Sequence, residues 1–269
     1  MYPFLTIGSV RFGTYGIMLA LGLYCGFYIL RADLRRRKIS ANPFVITLVI
    51  GITGFVVSKL YKIVDTPSVF LAYPILLLSP QGFTFYGAVI GGLGAAFLLA
   101  KHYRFSVLTL LDAVSPAAAL GYGIGRIGCF LAGDGDYGIP SSLPWAMSFP
   151  HGIVPTMDRV HPTPIYEFLG AAAIALFLWR RGVASIEKQL PDGEIFAEYL
   201  LLTGAARFLV EFIRRNPRGW LGLTNAQQVA ILSITVGLLL VLVGTRMKAK
   251  PVPAPEEAAS GPSKLRVNE

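Results

Sequence analysis

Seven apolar blocks dominate the chain, at 14–30, 44–63, 83–100, 108–131, 162–179, 195–213 and 225–245, and charge collects in the short stretches between them. A helix crossing the hydrocarbon core needs about 20 predominantly apolar residues, with about 17 to 25 tolerated. Each block approaches that length. The pattern therefore predicts an all-α integral membrane protein with about seven transmembrane helices. Between the second and third blocks, VFLAYPILLLSP is apolar but short and holds two prolines, so an interfacial or re-entrant segment is expected there, not an eighth span. The segment 132–161, AGDGDYGIPSSLPWAMSFPHGIVPTMDRVH, is rich in Gly, Pro and Asp with aromatic residues between. That composition suits an ordered irregular cap. The domain reading is one polytopic membrane domain over 1–247 and a disordered cytoplasmic tail over 248–269, where PVPAPEEAASGPSKLRVNE carries the signature of disorder.

The positions of the basic residues orient the spans. RADLRRRK (31–38) follows the first apolar block, whereas a signal peptide has its basic region in front. The positive-inside rule puts this loop in the cytoplasm and the N-terminus outside. Lys101, Arg104, Arg180, Arg181 and Lys188 then fall inside, as do Arg246, Lys248 and Lys250. The 64–82 loop has no Lys or Arg, and 132–161 has only Arg159; both fall outside. RRNPR (214–218) breaks the rule by placing three arginines outside. Headgroup snorkelling and the handling of something anionic at that face are the two readings.

Composition agrees with this picture. Only 14% of the 269 residues are charged and 54% are hydrophobic, against roughly a quarter charged in soluble domains. The net charge of +9 is accounted for by topology and anionic lipid, and no basic stripe interleaved with aromatics points to nucleic acid. Cys25 and Cys129 offer neither a disulfide framework nor a metal site, and no cofactor is expected.

Charges within spans are expensive and point to function. Arg126 stands near the outward end of block four, among the glycines of GYGIGRIGCF, which allow close helix contact but do not explain an arginine. Arg207 and Glu211, four apart on the outer half of block six, share a helix face; a structural ion pair is the competing reading. Tyr15, Tyr86, His161, Tyr166 and Glu167 come from the outer ends of blocks one, three and five. Interfacial aromatics would explain the tyrosines, and a helix-entrance role would explain His161. Asp134 and Asp136 in GDGDYG resemble a fragment of a calcium loop without its other ligands, and a turn role is expected. Two guanidiniums at this depth match phosphate oxygens. The residues thus point to a phospholipid or similar amphiphilic anion held at the outer side, without identifying a reaction.

GRIGCFLAGDGDYG (125–138) resembles the signature of the bacterial phosphatidylglycerol–prolipoprotein diacylglyceryl transferases. YG (15–16), GFTFYGAVIGG (82–92), PWAMSFP (144–150), HPTPIYE (161–167), ARFLVEFIRRNP (206–217) and NAQQ (225–228) follow in the order of that family. The resemblance implies transfer of a diacylglyceryl group from phosphatidylglycerol to the lipobox cysteine thiol of prolipoproteins, the first step of lipoprotein maturation. It implies a multi-pass protein of the bacterial inner membrane, with its site toward the periplasmic leaflet. Its partners would be phosphatidylglycerol, lipobox peptides and membrane lipids. Arg126, Arg207, Glu211 and Tyr86 are then the expected catalytic residues. Arg126 with Tyr15, Cys129, Asp134, His161 and Glu167 forms the expected substrate-binding set. Tyr86 stands where the family often has histidine, Cys129 where it often has asparagine, Thr203 where a tyrosine is common, and Pro164 where glutamine is common. Tyr86 is therefore expected to orient or donate to the phosphate, with Glu211 or His161 assisting thiol deprotonation. Other readings are a diverged lipid-binding paralogue without transfer activity, and a transporter or channel, which would want polar groups near the bilayer midplane.

Overall fold

In hydrocarbon a backbone can satisfy its own polar groups only as a helix or a closed barrel, and the long apolar blocks form helices. The computed structural model describes residues 1–77 and 83–248. The helices are α1 (Thr14–Arg36), α2 (Pro43–Asp65), α3 (Pro67–Ala72), α4 (Phe85–Tyr103), α5 (Val107–Ala132), α6 (Thr163–Glu187), α7 (Glu194–Val210) and α8 (Asn225–Lys248). Six of them, α1, α2, α4, α5, α6 and α8, are long and apolar enough to cross a membrane. The seventh, α7, has 17 residues and continues through a 3-10 turn at Glu211–Ile213. Its length, about 26 Å at 1.5 Å per residue, nearly matches the hydrocarbon core before that turn is added. The protein is a multi-pass membrane protein. VFLAYPILLLSP forms no span within the described residues: it gives the six-residue α3 and a 3-10 turn at Pro74–Leu77. The expected disordered tail lies, apart from Lys248, outside the described residues.

Local chemistry sets several boundaries. Asn42 caps α2 by accepting from the Phe44 amide at 2.9 Å, with Pro43 in the first turn. Thr84 caps α4 through the Gly87 amide at 3.2 Å. The same threonine is bound to α2: Ser58 Oγ donates to the Thr84 carbonyl at 2.6 Å and accepts from its amide at 2.7 Å. The start of α4, which carries Tyr86, is thereby fixed.

The helices pack as α1 on α5, α5 on α6, α2 on α4 and α7 on α8, with α7 also touching α5 and α6. Lipid is as apolar as leucine, so close backbone approach holds such helices together. A Cβ on Gly91 would lie 2.6 Å from the Thr53 carbonyl oxygen, which is why α2 and α4 can meet only at glycine there. The largest apolar core, Leu30, Leu34, Ile46, Ala96, Leu99, Ala100, Leu110, Ala113 and Ala117, fills the end of the bundle away from the 132–161 segment. Two buried aspartates tie that end together. Asp33 pairs with Arg36 and Arg37. Asp112 on α5 accepts from the Gly193 and Phe196 amides, both at 2.8 Å, and so caps α7.

The all-α expectation needs one refinement, since two small antiparallel hairpins accompany the helices. β1 (Phe4–Ile7) pairs with β2 (Val10–Gly13), and β3 (Met147–Phe149) pairs with β4 (Thr156–Val160) across a bulge. The second hairpin lies within the 132–161 cap, which is therefore less irregular than its composition predicts. Strands of three and five residues, separated by a loop that runs from Pro150 to Pro155, are too short to show a period in the sequence. Tyr137, Phe149 and Val160 form the cap's own small core. Arg159 locks the cap by donating to the carbonyls of Leu143, Pro144 and Ala146 at 3.0–3.3 Å. The chain turns from α5 into the cap at Gly133, where φ is +60° and a Cβ would meet Gly152 Cα at 2.6 Å.

Candidate functional site

Where α5, α6 and α7 reach the cap, their ends converge on one another. α5 supplies Arg126, with Tyr122 one turn before it and Cys129 three residues after. The first turns of α6 supply Glu167. α7 and its terminal turn bring Arg207, Glu211 and Arg214, at spacings of four and three. The cap loop adds Asp136.

Glu167 sits at the centre, with a side chain only 3% exposed. It meets Arg126 Nε at 2.5 Å, Arg207 Nη1 at 2.8 Å and Arg214 Nη1 at 2.8 Å, and it accepts from the Tyr122 hydroxyl at 2.8 Å. Glu211, fully buried, holds Arg207 at 3.0 Å and accepts from the Asn216 amide. Asp136 bridges Arg126 and Arg214, one carboxylate oxygen to each. The guanidinium of Arg126 also lies 4.9 Å from the centre of the Tyr122 ring. Three guanidiniums thus face three carboxylates. Burial pushes the Asp136 carboxyl up, but Arg214 and Arg126 outweigh it and hold the carboxyl below its usual range. For Arg214, burial disfavours the charge, and Asp136 and Glu167 more than restore it. Asp134 moves the other way, raised by burial and by the neighbouring charge of Asp136.

Beside this network lies a cavity of about 350 Å³. It is lined by Tyr86, Arg126, Asp136, Arg207, Glu211 and Arg214, with Asn216, Pro217 and residues 224–226. A larger hollow, about 460 Å³, opens on the cap between Pro140–Ser142 and Asp158–Arg159. Arg159 commits its Nε and Nη2 to cap carbonyls there, whereas three arginines line the smaller cavity.

Of the residues expected from sequence, Arg126, Arg207, Glu211 and Tyr86 all line this cavity. Glu167 joins them from behind, its oxygens occupied by the arginines and Tyr122. Cys129 is buried against Arg126, whose Nη1 donates to Sγ at 3.7 Å, and Asp134 lies near its thiol. Tyr15 packs over Gly128, next to Cys129. His161 is placed elsewhere. Its Nδ1 lies 3.3 Å from the Tyr166 hydroxyl, which accepts from Trp145 Nε1 at 2.6 Å, and the three form a cap contact outside the cavity lining. Thr203 bonds back to the Tyr199 carbonyl at 2.6 Å.

Asp136 and Arg214 were not among the expected site residues. Asp136 reads in sequence as a turn aspartate. Arg214 did leave a signal, as part of the RRNPR run that breaks the charge rule. Of the three arginines in that run, only Arg214 turns inward. Arg215 faces Asp158 at 3.6 Å, and Arg218 lies 5.9 Å from the Phe212 ring centre. Cys129, Asp134 and Asp136 offer ligand atoms within 4.8 Å of one another. Asp136 is engaged by two guanidiniums, whose charge opposes a cation there. The arrangement is suited instead to an anion that can approach two or three guanidiniums from the cavity.

Comparison with known proteins bears on what that anion is. A family model described as prolipoprotein diacylglyceryl transferase matches residues 3–243. The chain is similar to a phosphatidylglycerol–prolipoprotein diacylglyceryl transferase of Clostridium tetani (strain Massachusetts / E88), 34% identical over 231 residues, covering 84% of this chain and 90% of that protein. It is 32% identical to phosphatidylglycerol–prolipoprotein diacylglyceryl transferase 2 of Clostridium perfringens (strain 13 / Type A), over 91% of this chain and 95% of the relative. A Geobacter sulfurreducens protein of the same name is 30% identical, covering 92% and 96%.

Proposed function

Because the chain belongs to the prolipoprotein diacylglyceryl transferase family, we propose that it transfers the diacylglyceryl group of phosphatidylglycerol to the lipobox cysteine of prolipoproteins at the outer leaflet of a bacterial inner membrane. The observation that carries this reading is the convergence of Arg126, Arg207 and Arg214 on one cavity at one end of the bundle. The orientation follows from charge. Arg31–Lys38, Lys101, Arg104, Arg180, Arg181 and Lys188 cluster at the end opposite the cap, which the positive-inside rule makes cytoplasmic. The cap and cavity then face the periplasm, at the depth of phospholipid phosphates.

In the reaction the substrate thiol gives up its proton. Its sulfur forms a bond to the glyceryl carbon that carries the phosphate, and the C–O bond breaks with its electron pair leaving on the phosphate oxygen. Charge grows on the departing glycerol phosphate, so guanidiniums aimed there lower the barrier. Arg126 and Arg207 clamp the phosphate, and the Tyr86 hydroxyl donates to it. Glu211, in the cavity wall, takes the thiol proton; His161, bonded to Tyr166 outside the cavity, does not. Glu167 positions the arginines without touching substrate.

Protein reconstituted with phosphatidylglycerol and a lipobox peptide is expected to yield a peptide carrying diacylglyceryl on its cysteine, detected by mass spectrometry. Arg126→Ala protein that still inserts and folds should lose the adduct by about a hundredfold or more, and a peptide with serine for cysteine should give none. Absence of adduct from the wild-type protein, with phosphatidylglycerol still bound, would leave a lipid-binding protein in place of a transferase.

A further inference from the structure

The charges around the cavity already balance, and an anionic headgroup must enter a network that has no net positive charge to offer it. Arg126, Arg207 and Arg214 are matched by Asp136, Glu167 and Glu211. One of the three carboxylates must yield if a phosphate is to find free guanidiniums. Glu167 and Glu211 are buried against their arginines, with side chains 3% and 0% exposed, whereas the Asp136 side chain is 33% exposed at the cavity. Its backbone is held independently, because Thr163 Oγ1 donates to the Asp136 carbonyl at 2.6 Å. The side chain can therefore rotate away without moving the loop.

The geometry also fits replacement. Asp136 offers one oxygen to Arg126 Nη1 and the other to Arg214 Nη2. A phosphodiester presents two unesterified oxygens to donors in the same forked manner. We infer that Asp136 is an internal stand-in for the lipid phosphate: it keeps Arg126 and Arg214 apart and aligned while the cavity is empty, gives up its place to phosphatidylglycerol, and returns to expel the glycerol phosphate. The last step follows from charge. The esterified phosphate carries one negative charge, and the released monoester gains a second as the C–O bond breaks. A carboxylate returning to its arginines competes with that product for the same donors. Arg214 becomes, with Arg126, part of the phosphate seat, and Asp136 acts on substrate only through these two arginines.

This inference rests on the transferase reading for its substrate, and a binding measurement separates the two. Wild-type, Asp136→Asn and Asp136→Glu proteins are placed in phosphatidylcholine nanodiscs, and phosphatidylglycerol is titrated in. Transfer kinetics are then measured with and without added glycerol phosphate. Removing a charged competitor from two donors should tighten phosphatidylglycerol binding and lower its KM by about tenfold. Inhibition by glycerol phosphate should strengthen by a similar factor, and kcat should fall because product leaves slowly. Asp136→Glu, which keeps the charge, should stay close to wild type in both constants. A strut would behave in the opposite sense. Weaker binding, a raised or unchanged KM, or an Asp136→Asn protein that fails to fold even with phosphatidylglycerol present would overturn the proposal. If wild-type protein binds the lipid without forming adduct, the transferase reading fails, and the binding titration still decides the role of Asp136.

Discussion

Glu211 and His161 both qualify as proton acceptors by residue type, and the structure separates them. Glu211 reaches the cavity with Arg207 beside it at 3.0 Å, while His161 is turned toward Tyr166. Glu211→Gln keeps the size and the Asn216 contact but removes the proton acceptor, so transfer should slow by about a hundredfold near neutral pH. The deficit should shrink as pH rises toward the ordinary thiol pKa of about 8.5, because solvent then ionises the substrate cysteine unaided. Rates measured across that pH range test this, and a deficit constant with pH would assign Glu211 to holding Arg207 only. At this scale the sequence was informative where spacing is local. Arg207 and Glu211, four apart, announced their pairing, and Arg126 stood out as a charge among glycines. Asp136 and Arg214 are 78 residues apart. No local pattern links a turn aspartate to an arginine beyond the next two helices.

Among the elements, α7 is the shortest of the seven long helices and is fixed at both ends by charged groups. It brings Arg207 to the cavity at one end, and at the other its first amides are held by Asp112 of α5. Arg181 of α6 reinforces that end by pairing with Glu194 at 3.1 Å and with Glu198. Asp112→Ala removes the acceptor for two amides and should cost about 1–2 kcal/mol, read as a lower melting temperature in detergent or nanodiscs. Transfer should weaken as well, since a loosened α7 no longer presents Arg207 at a fixed distance from Arg126; unaltered kcat and KM would show that the contacts of α7 with α5, α6 and α8 position it without Asp112. Apolar length made the helices legible, and the blocks predicted them to within a few residues at most ends. The hairpins were hidden, because strands of three to five residues carry no readable period. Asp112 and Asp33 stand within otherwise apolar or basic stretches and carry no local signal; their roles depend on neighbouring helices.

For the molecule as a whole, polarity is segregated along the bundle. The main apolar core and the basic loops occupy one end, and the arginine–carboxylate network with its cap occupies the other. The proposed orientation predicts that a membrane-impermeant maleimide labels Ser142→Cys protein in intact spheroplasts, and labels Arg104→Cys protein only after the membrane is opened. Both are measured in a background with Cys25 replaced by serine, and the reverse pattern would place the cavity on the cytoplasmic side. The sequence by itself determined the membrane class, the number and position of the long helices, and the gathering of Arg126, Arg207 and Glu211 toward one end. Each of these is written in runs of apolar residues or in spacings of a single helical turn. Only the tertiary structure decided that the three arginines meet three carboxylates, that Glu167 is their hub, that His161 stands apart, and that Asp136 lines the cavity. Those outcomes depend on how closely helices approach at small residues such as Gly91 and on where the cap folds back. Both are set by contacts between distant parts of the chain, and hydrophobic periodicity does not encode them.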